Sequence, residues 1–134
     1  EILAWQAGMD EGELVAPVID AGRGDIYTAV FEKSEKDVRI VQAPCLVNKT
    51  EIINLLAMLD GRTAKLCGSR ELLEIMPEDK RFSGKIIDRI SPGDLGRLAQ
   101  QRLEKGLFDD SQALTPLYVR KSDAEDKKRG PRPT

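Results

Sequence analysis

The chain has 134 residues, 40% of them hydrophobic and 33% charged, which excludes collagen-like, mucin-like and wholly disordered classes. A formal net charge of -2 supplies no overall basic field to recruit nucleic acid. There is no histidine, so this chain contains no Ser–His or Cys–His couple and no imidazole-bearing metal site. The length suits one domain or a piece of one. No apolar run approaches the ~20 residues that span a bilayer, so no membrane contact is expected. The opening Glu1-Ile2-Leu3-Ala4-Trp5 has no basic n-region of a signal peptide, and a cytoplasmic location is expected. Cys45 and Cys67 cannot build a four-cysteine zinc site. Both lie in apolar context and read as small buried thiols, with a single disulfide between them as the alternative.

Residues 2–8 read as the last turns of a helix. Leu3 and Ala7 share a face, and Gly8 suits a left-handed cap. No N-cap precedes this helix and no initiator Met is present, which predicts an excised fragment. Residues 14–21 form an apolar, β-branched strand candidate whose Pro17 must sit at a start, an edge or a bulge. Gly22-Arg23-Gly24-Asp25 is a hairpin turn. Residues 26–31 follow with strong β propensity and two apolar faces, predicting an inner strand. After a charged turn at 32–36, residues 37–42 alternate, with Val38 and Ile40 on one face and Arg39 outward. The result is an antiparallel three-strand meander.

The period then changes. Asn48 is the candidate cap of a helix with Glu51 at its third position. Ile52, Ile53, Leu56 and Leu59 make its buried stripe, and Gly61 ends it. Residues 64–67 are a short buried strand, broken by Gly68-Ser69, with a helix from 70 to 76 and another strand at 85–88. Ser91-Pro92-Gly93-Asp94 is a helix start: a Ser cap, Pro in the first turn and an early acid. Leu95, Leu98, Ala99 and Leu103 are expected on its inner face, with Gly106 closing it. Residues 114–119 are a candidate last strand. The tail from Arg120 carries six Lys/Arg against three Asp/Glu and no large apolar residue, which predicts a solvated cationic segment. The order is α/β with a mixed sheet: a meander, then alternating helices and strands.

Three stretches carry a family resemblance. Residues 15–31, from Val15-Ala16-Pro17-Val18 through Arg23-Gly24-Asp25-Ile26-Tyr27, resemble the segment that opens the second lobe of the bacterial TsaB (YeaZ) family. Leu66-Cys67-Gly68-Ser69 resembles that family's later strand–glycine–helix turn. Thr115-Pro116-Leu117-Tyr118-Val119-Arg120-Lys121-Ser122-Asp123-Ala124-Glu125 resembles its C-terminal signature. The resemblance implies an actin-like, ribonuclease H-like lobe in the superfamily once labelled glycoprotease. It divides the chain into the end of an inter-lobe helix (1–10), a second lobe (11–119) and a charged tail (120–134). It further implies a non-catalytic partner of TsaD that works with TsaE to install threonylcarbamoyl on adenosine 37 of tRNA. TsaD and TsaE would be met through the full-length protein and tRNA through the complex. The fragment itself is expected to self-associate weakly, at most as a homodimer, through the Trp5 region or the outer meander strand.

Site candidates are few. Gly68 and Ser69 stand where an actin-like lobe faces a nucleotide, so their amides are the nucleotide-binding candidates. Ser69 and Arg70 depart from the acidic or glycine residues usual in such turns, and Ser69 also reads as a plain helix cap. No cofactor is expected in this chain, and ATP only in a complete complex. Asp20, at a strand end, reads as bonding to its own turn amides. The glycines of Gly22-Arg23-Gly24-Asp25 read as turn residues rather than an anion cradle. Single aromatics, Trp5 and Tyr118, make no base-stacking platform. No catalytic residue and no metal ligand is assigned. The alternatives to a scaffold are a nucleotide-binding hydrolase of the same superfamily and a stand-alone interaction module.

Overall fold

The computed structural model describes residues 1–34, 37–59 and 62–120. Its order is α1 (Ile2–Ala7), β1 (Leu14–Gly22), β2 (Asp25–Ser34), β3 (Asp37–Asn48), α2 (Ile52–Ala57), β4 (Ala64–Gly68), α3 (Arg70–Glu74), β5 (Phe82–Ile86) and α4 (Pro92–Glu104). The strands form one mixed sheet in the order β3-β2-β1-β4-β5. β1, β2 and β3 are antiparallel neighbours, whereas β4 runs parallel to β1 and β5 parallel to β4. The expected meander followed by alternating helices and strands is therefore present.

β1 is the middle strand, and its first five residues, Leu14 to Val18, are buried on both faces, as a strand covered on two sides must be, whereas its far end from Ile19 is open. Leu14, Ala16 and Val18 join Ile26, Val30, Ile52, Leu56, Leu66 and Leu72 in a core beneath α2 and α3. Val15 points the other way, into a smaller core with Ala4, Ala7, Phe31, Cys67 and Ile87 beneath α1. α4 lies against α1 on this second side. The Gln6 amide joins the two helices' surroundings: its nitrogen donates to the Arg89 carbonyl at 2.9 Å and its oxygen accepts from the Ser91 N–H at 2.9 Å.

Several sequence expectations need correction. Pro17 lies inside the middle strand rather than at a start, an edge or a bulge. The pairs Val15↔Phe31 and Val18↔Thr28 flank it on the β2 side, and Cys67 is its partner on β4. β3 continues to Asn48, past Pro44, because it is an edge strand where a missing N–H costs no ladder bond. Asn48 is therefore a strand residue. Its side chain accepts from the Thr50 N–H and hydroxyl, turning the chain before α2 instead of capping it. Arg39 faces outward as expected, but Ile40 is also exposed.

Farther on, α1 buries Ala4 and Ala7, with Leu3 packed at the margin. α3 stops at Glu74, two residues short of the expected Met76. β5 starts at Phe82 because its register is set by β4, from Ala64↔Phe82 to Gly68↔Ile86. The start of α4 is as expected: the Ser91 hydroxyl accepts from the Asp94 N–H. Its end is a Schellman motif, with the Gly106 N–H donating to Leu103 and the Leu107 N–H to Arg102, and Gly106 at φ 70. However, α4 has no buried residue, and Leu95 and Leu103 are exposed; of its leucines only Leu98 turns partly inward. Residues 114–119 form no strand, and Leu114, Leu117 and Tyr118 are exposed. The expectations for residues 35–36, Gly61 and the tail from Lys121 lie outside the described residues.

Candidate functional site

The carboxyl ends of parallel strands β1, β4 and β5 open into a shallow groove of about 250 Å³. Open α/β sheets bind ligands at such a place. Gly68, Ser69, Asp20 and Asp88 all line it. Gly68 is required by packing: a Cβ there would stand 2.7 Å from the Val18 carbonyl oxygen and 2.9 Å from Val18 Cγ2. Its own carbonyl accepts from the Ile87 N–H at 2.7 Å, carrying the chain past β5.

Two of the amides after Gly68, those of Arg70 and Leu72, already have partners. The Ser69 hydroxyl accepts from the Leu72 N–H at 3.4 Å, so Ser69 is the cap of α3. The Asp88 carboxylate accepts from the Arg70 N–H at 2.9 Å, placing the protein's own anion at this helix start. Asp20 accepts from the Gly22 N–H at 3.1 Å and lies 3.6 Å from the Lys49 ammonium. The groove thus brings together Gly68, Ser69 and Asp20 with Asp88, which the sequence reading missed. Asp88 contacts Arg70 across 18 residues, and no local motif announces that.

The Arg-Gly-Asp turn lies between Gly22 and Asp25, a paired couple closing a two-residue loop. Arg23 and Gly24 have φ of 60° and 84°, the positive values that this tight hairpin requires. Arg120 holds the turn from outside, donating to the Asp25 carboxylate at 2.6 Å and to the Gly22 carbonyl at 3.4 Å. Asp25 is thereby engaged by the segment that carried the C-terminal resemblance.

Elsewhere charge serves architecture. Glu32, buried at the end of β2, accepts from Arg62 and Arg39. Those guanidiniums, Arg62 foremost, hold its carboxyl below the usual range. Arg81 grips Asp79 through its guanidinium and its backbone N–H, lowering that carboxyl to about 2. Burial pushes the Cys67 thiol up to about 12 and raises Cys45 as well. Both cysteines are free. Three strand spacings separate β3 from β4, or ~14 Å, too far for a disulfide. Among the described residues no group of three His, Cys, Asp or Glu is placed to hold a metal, and no helix is long and apolar enough to cross a membrane.

Two solved structures share this arrangement. A protein with similarity to peptidase YeaZ from Pseudomonas aeruginosa superposes with a TM-score of 0.68 at 21% identity, over 89% of this chain. The chain has the YeaZ fold. YeaZ from Pseudomonas aeruginosa itself superposes with a TM-score of 0.65 at 20% identity, over 87% of this chain. The chain spans 55% of the length of each of these YeaZ structures. No protein-family model matches the sequence, and no curated protein does. The actin-like α/β lobe expected from the resemblance is the fold observed.

Proposed function

We propose that this chain is a non-catalytic scaffold part of a tRNA threonylcarbamoyladenosine-37 modification complex. It acts in the cytoplasm with TsaD and TsaE and meets tRNA through the complex. The observation that carries this reading is the YeaZ-like course of 89% of the chain, joined to the TsaB-like motifs at residues 15–31 and 115–125. The polar groups of the groove support it. Ser69, Asp88 and Asp20 each satisfy backbone N–H groups, so each has a structural task that a nucleophile or proton carrier would have to abandon.

One observation favours a second reading, a nucleotide-binding hydrolase: Gly68 and Ser69 lie at the carboxyl ends of parallel strands. Against it, the Arg70 and Leu72 amides that would grip a phosphate are engaged by Asp88 and Ser69. Titration calorimetry of the chain with ATP separates the two. A scaffold gives neither micromolar binding nor turnover; either one would establish the hydrolase reading instead.

A further inference from the structure

The sheet has two edges, and they differ. β3 carries Pro44, and its pairing with β2 shifts register twice, both devices that blunt an edge against further pairing. β5 has neither. It pairs with β4 in one unbroken register from Phe82 to Ile86, and Ser83, Gly84, Lys85 and Ile86 are exposed. Among the described residues no strand lies beyond it.

The outward backbone groups of β5 follow from the inward ones. The Arg81 carbonyl accepts from the Ala64 N–H at 2.9 Å, and the Ile87 N–H donates to the Gly68 carbonyl at 2.7 Å, so odd-numbered residues face β4. Direction alternates along a strand, which turns the N–H and C=O of Phe82, Gly84 and Ile86 away from the sheet. The Phe82 N–H is used within the preceding turn, donating to the Asp79 carbonyl at 3.0 Å. The side chains of these residues share the α3 face: Phe82 packs on the larger core, and a Cβ on Gly84 would point toward Leu73. A groove of about 550 Å³ lies there, with Leu73, Met76, Phe82 and Gly84 in its lining.

We propose that the outer edge of β5 pairs antiparallel with β5 of a second copy of this chain, about a two-fold axis through Gly84. Gly84 and the partner's Gly84 then exchange both N–H···O bonds, and the Ile86 N–H donates to the carbonyl of the partner's Phe82. The two sheets become one. Self-complementarity is what selects this occupant. Gly84 is the residue on the axis, and it puts no side chain between the copies. Phe82 stands opposite the partner's Ile86, an aromatic–β-branched cross-strand pair that occurs twice and covers the 41% exposed Ile86 at the margin of the groove. Continuing the register past the strand ends sets Lys80 toward the partner's Asp88 and Asp79 toward the partner's Arg89, opposite charges in both cases.

The register can be tested by disulfide trapping on the whole chain in a Cys45→Ser background. Ser83 stands opposite the partner's Lys85 as a non-hydrogen-bonded pair, with Cα atoms about 4.5 Å apart, within the span of a disulfide. Both positions are exposed, so cysteine is accommodated. Mixing the Ser83→Cys and Lys85→Cys variants under mild oxidation should give a covalent dimer. Each variant alone should cross-link far more slowly, because its two cysteines stand two residues out of register. In sedimentation equilibrium of the uncross-linked chain, Ile86→Glu should weaken the dimer about tenfold, the apolar pair being lost twice. Ile40→Glu on the β3 edge should leave it unchanged. A monomer at every concentration overturns the proposal. So does cross-linking of the mixture no faster than of either variant alone, or a dimer that responds to Ile40→Glu and not to Ile86→Glu.

Discussion

Arg120 donates to the Asp25 carboxylate at 2.6 Å across 95 residues of sequence, fastening the end of the described chain to the first hairpin. Both side chains are mostly sheltered, at 21% and 29% exposure. Arg120→Ala or Asp25→Asn should each cost roughly 0.5–2 kcal/mol, with a double-mutant cycle showing that the losses are not additive. Limited proteolysis should then cut faster between residues 107 and 119, where the chain has no regular structure. Additive losses with unchanged proteolysis would show that the contact fastens nothing.

Gly68 makes a sharper prediction. The Cβ of a Gly68→Ala variant would press on the Val18 backbone, which cannot swing aside as a side-chain tip would. The variant should be destabilised by about 1–3 kcal/mol, measured by urea denaturation. A variant as stable as the parent would mean that β1 and β4 separate easily, contrary to the close packing described.

Acid should weaken the fold through two carboxyls. Glu32 and Asp79 are both held below their ordinary values in the folded state by arginine partners. Their contribution is therefore complete above the unfolded values near 4 and is lost as pH falls through the folded ones, which for Asp79 is about 2. Melting temperature should decline from about pH 5 toward about pH 2, and Asp79→Asn with Glu32→Gln should flatten that decline. An equally steep decline in the double variant would place the acid sensitivity elsewhere.

The thiols should separate kinetically. Cys45 is half-buried on the edge strand, whereas Cys67 is fully buried and its thiol is raised to about 12. A thiol reagent at mildly alkaline pH should label Cys45 in the native protein and Cys67 only after denaturation. Equal rates for both would contradict the buried setting of Cys67.

The parts of this fold that could be read in advance are those written locally. The turn glycines of 22–25, the β-branched runs on either side and the Ser91-Pro92 start of α4 each encode their structure within a few residues. The Asp88–Arg70 and Arg120–Asp25 contacts join positions 18 and 95 residues apart, so neither leaves a local trace. Pro17 misleads because proline argues against an inner strand position, yet it lies inside the middle strand. That β3 runs on past Pro44 follows from its edge position, which only the assembled strand order defines. The apolar stripe of α4 predicts burial that the described residues do not supply; Leu95 and Leu103 remain exposed. At the candidate site, Gly68 and Ser69 stood out by their place between a strand and a helix. The carboxylate that occupies the Arg70 amide did not, because it arrives from beyond β5.

The most direct test of the scaffold role is nucleoside mass spectrometry of tRNA from cells depleted of the protein. A part of the threonylcarbamoylation complex should take most of the threonylcarbamoyladenosine signal with it, and re-expression should restore that signal. An undiminished signal after depletion would contradict the proposed function.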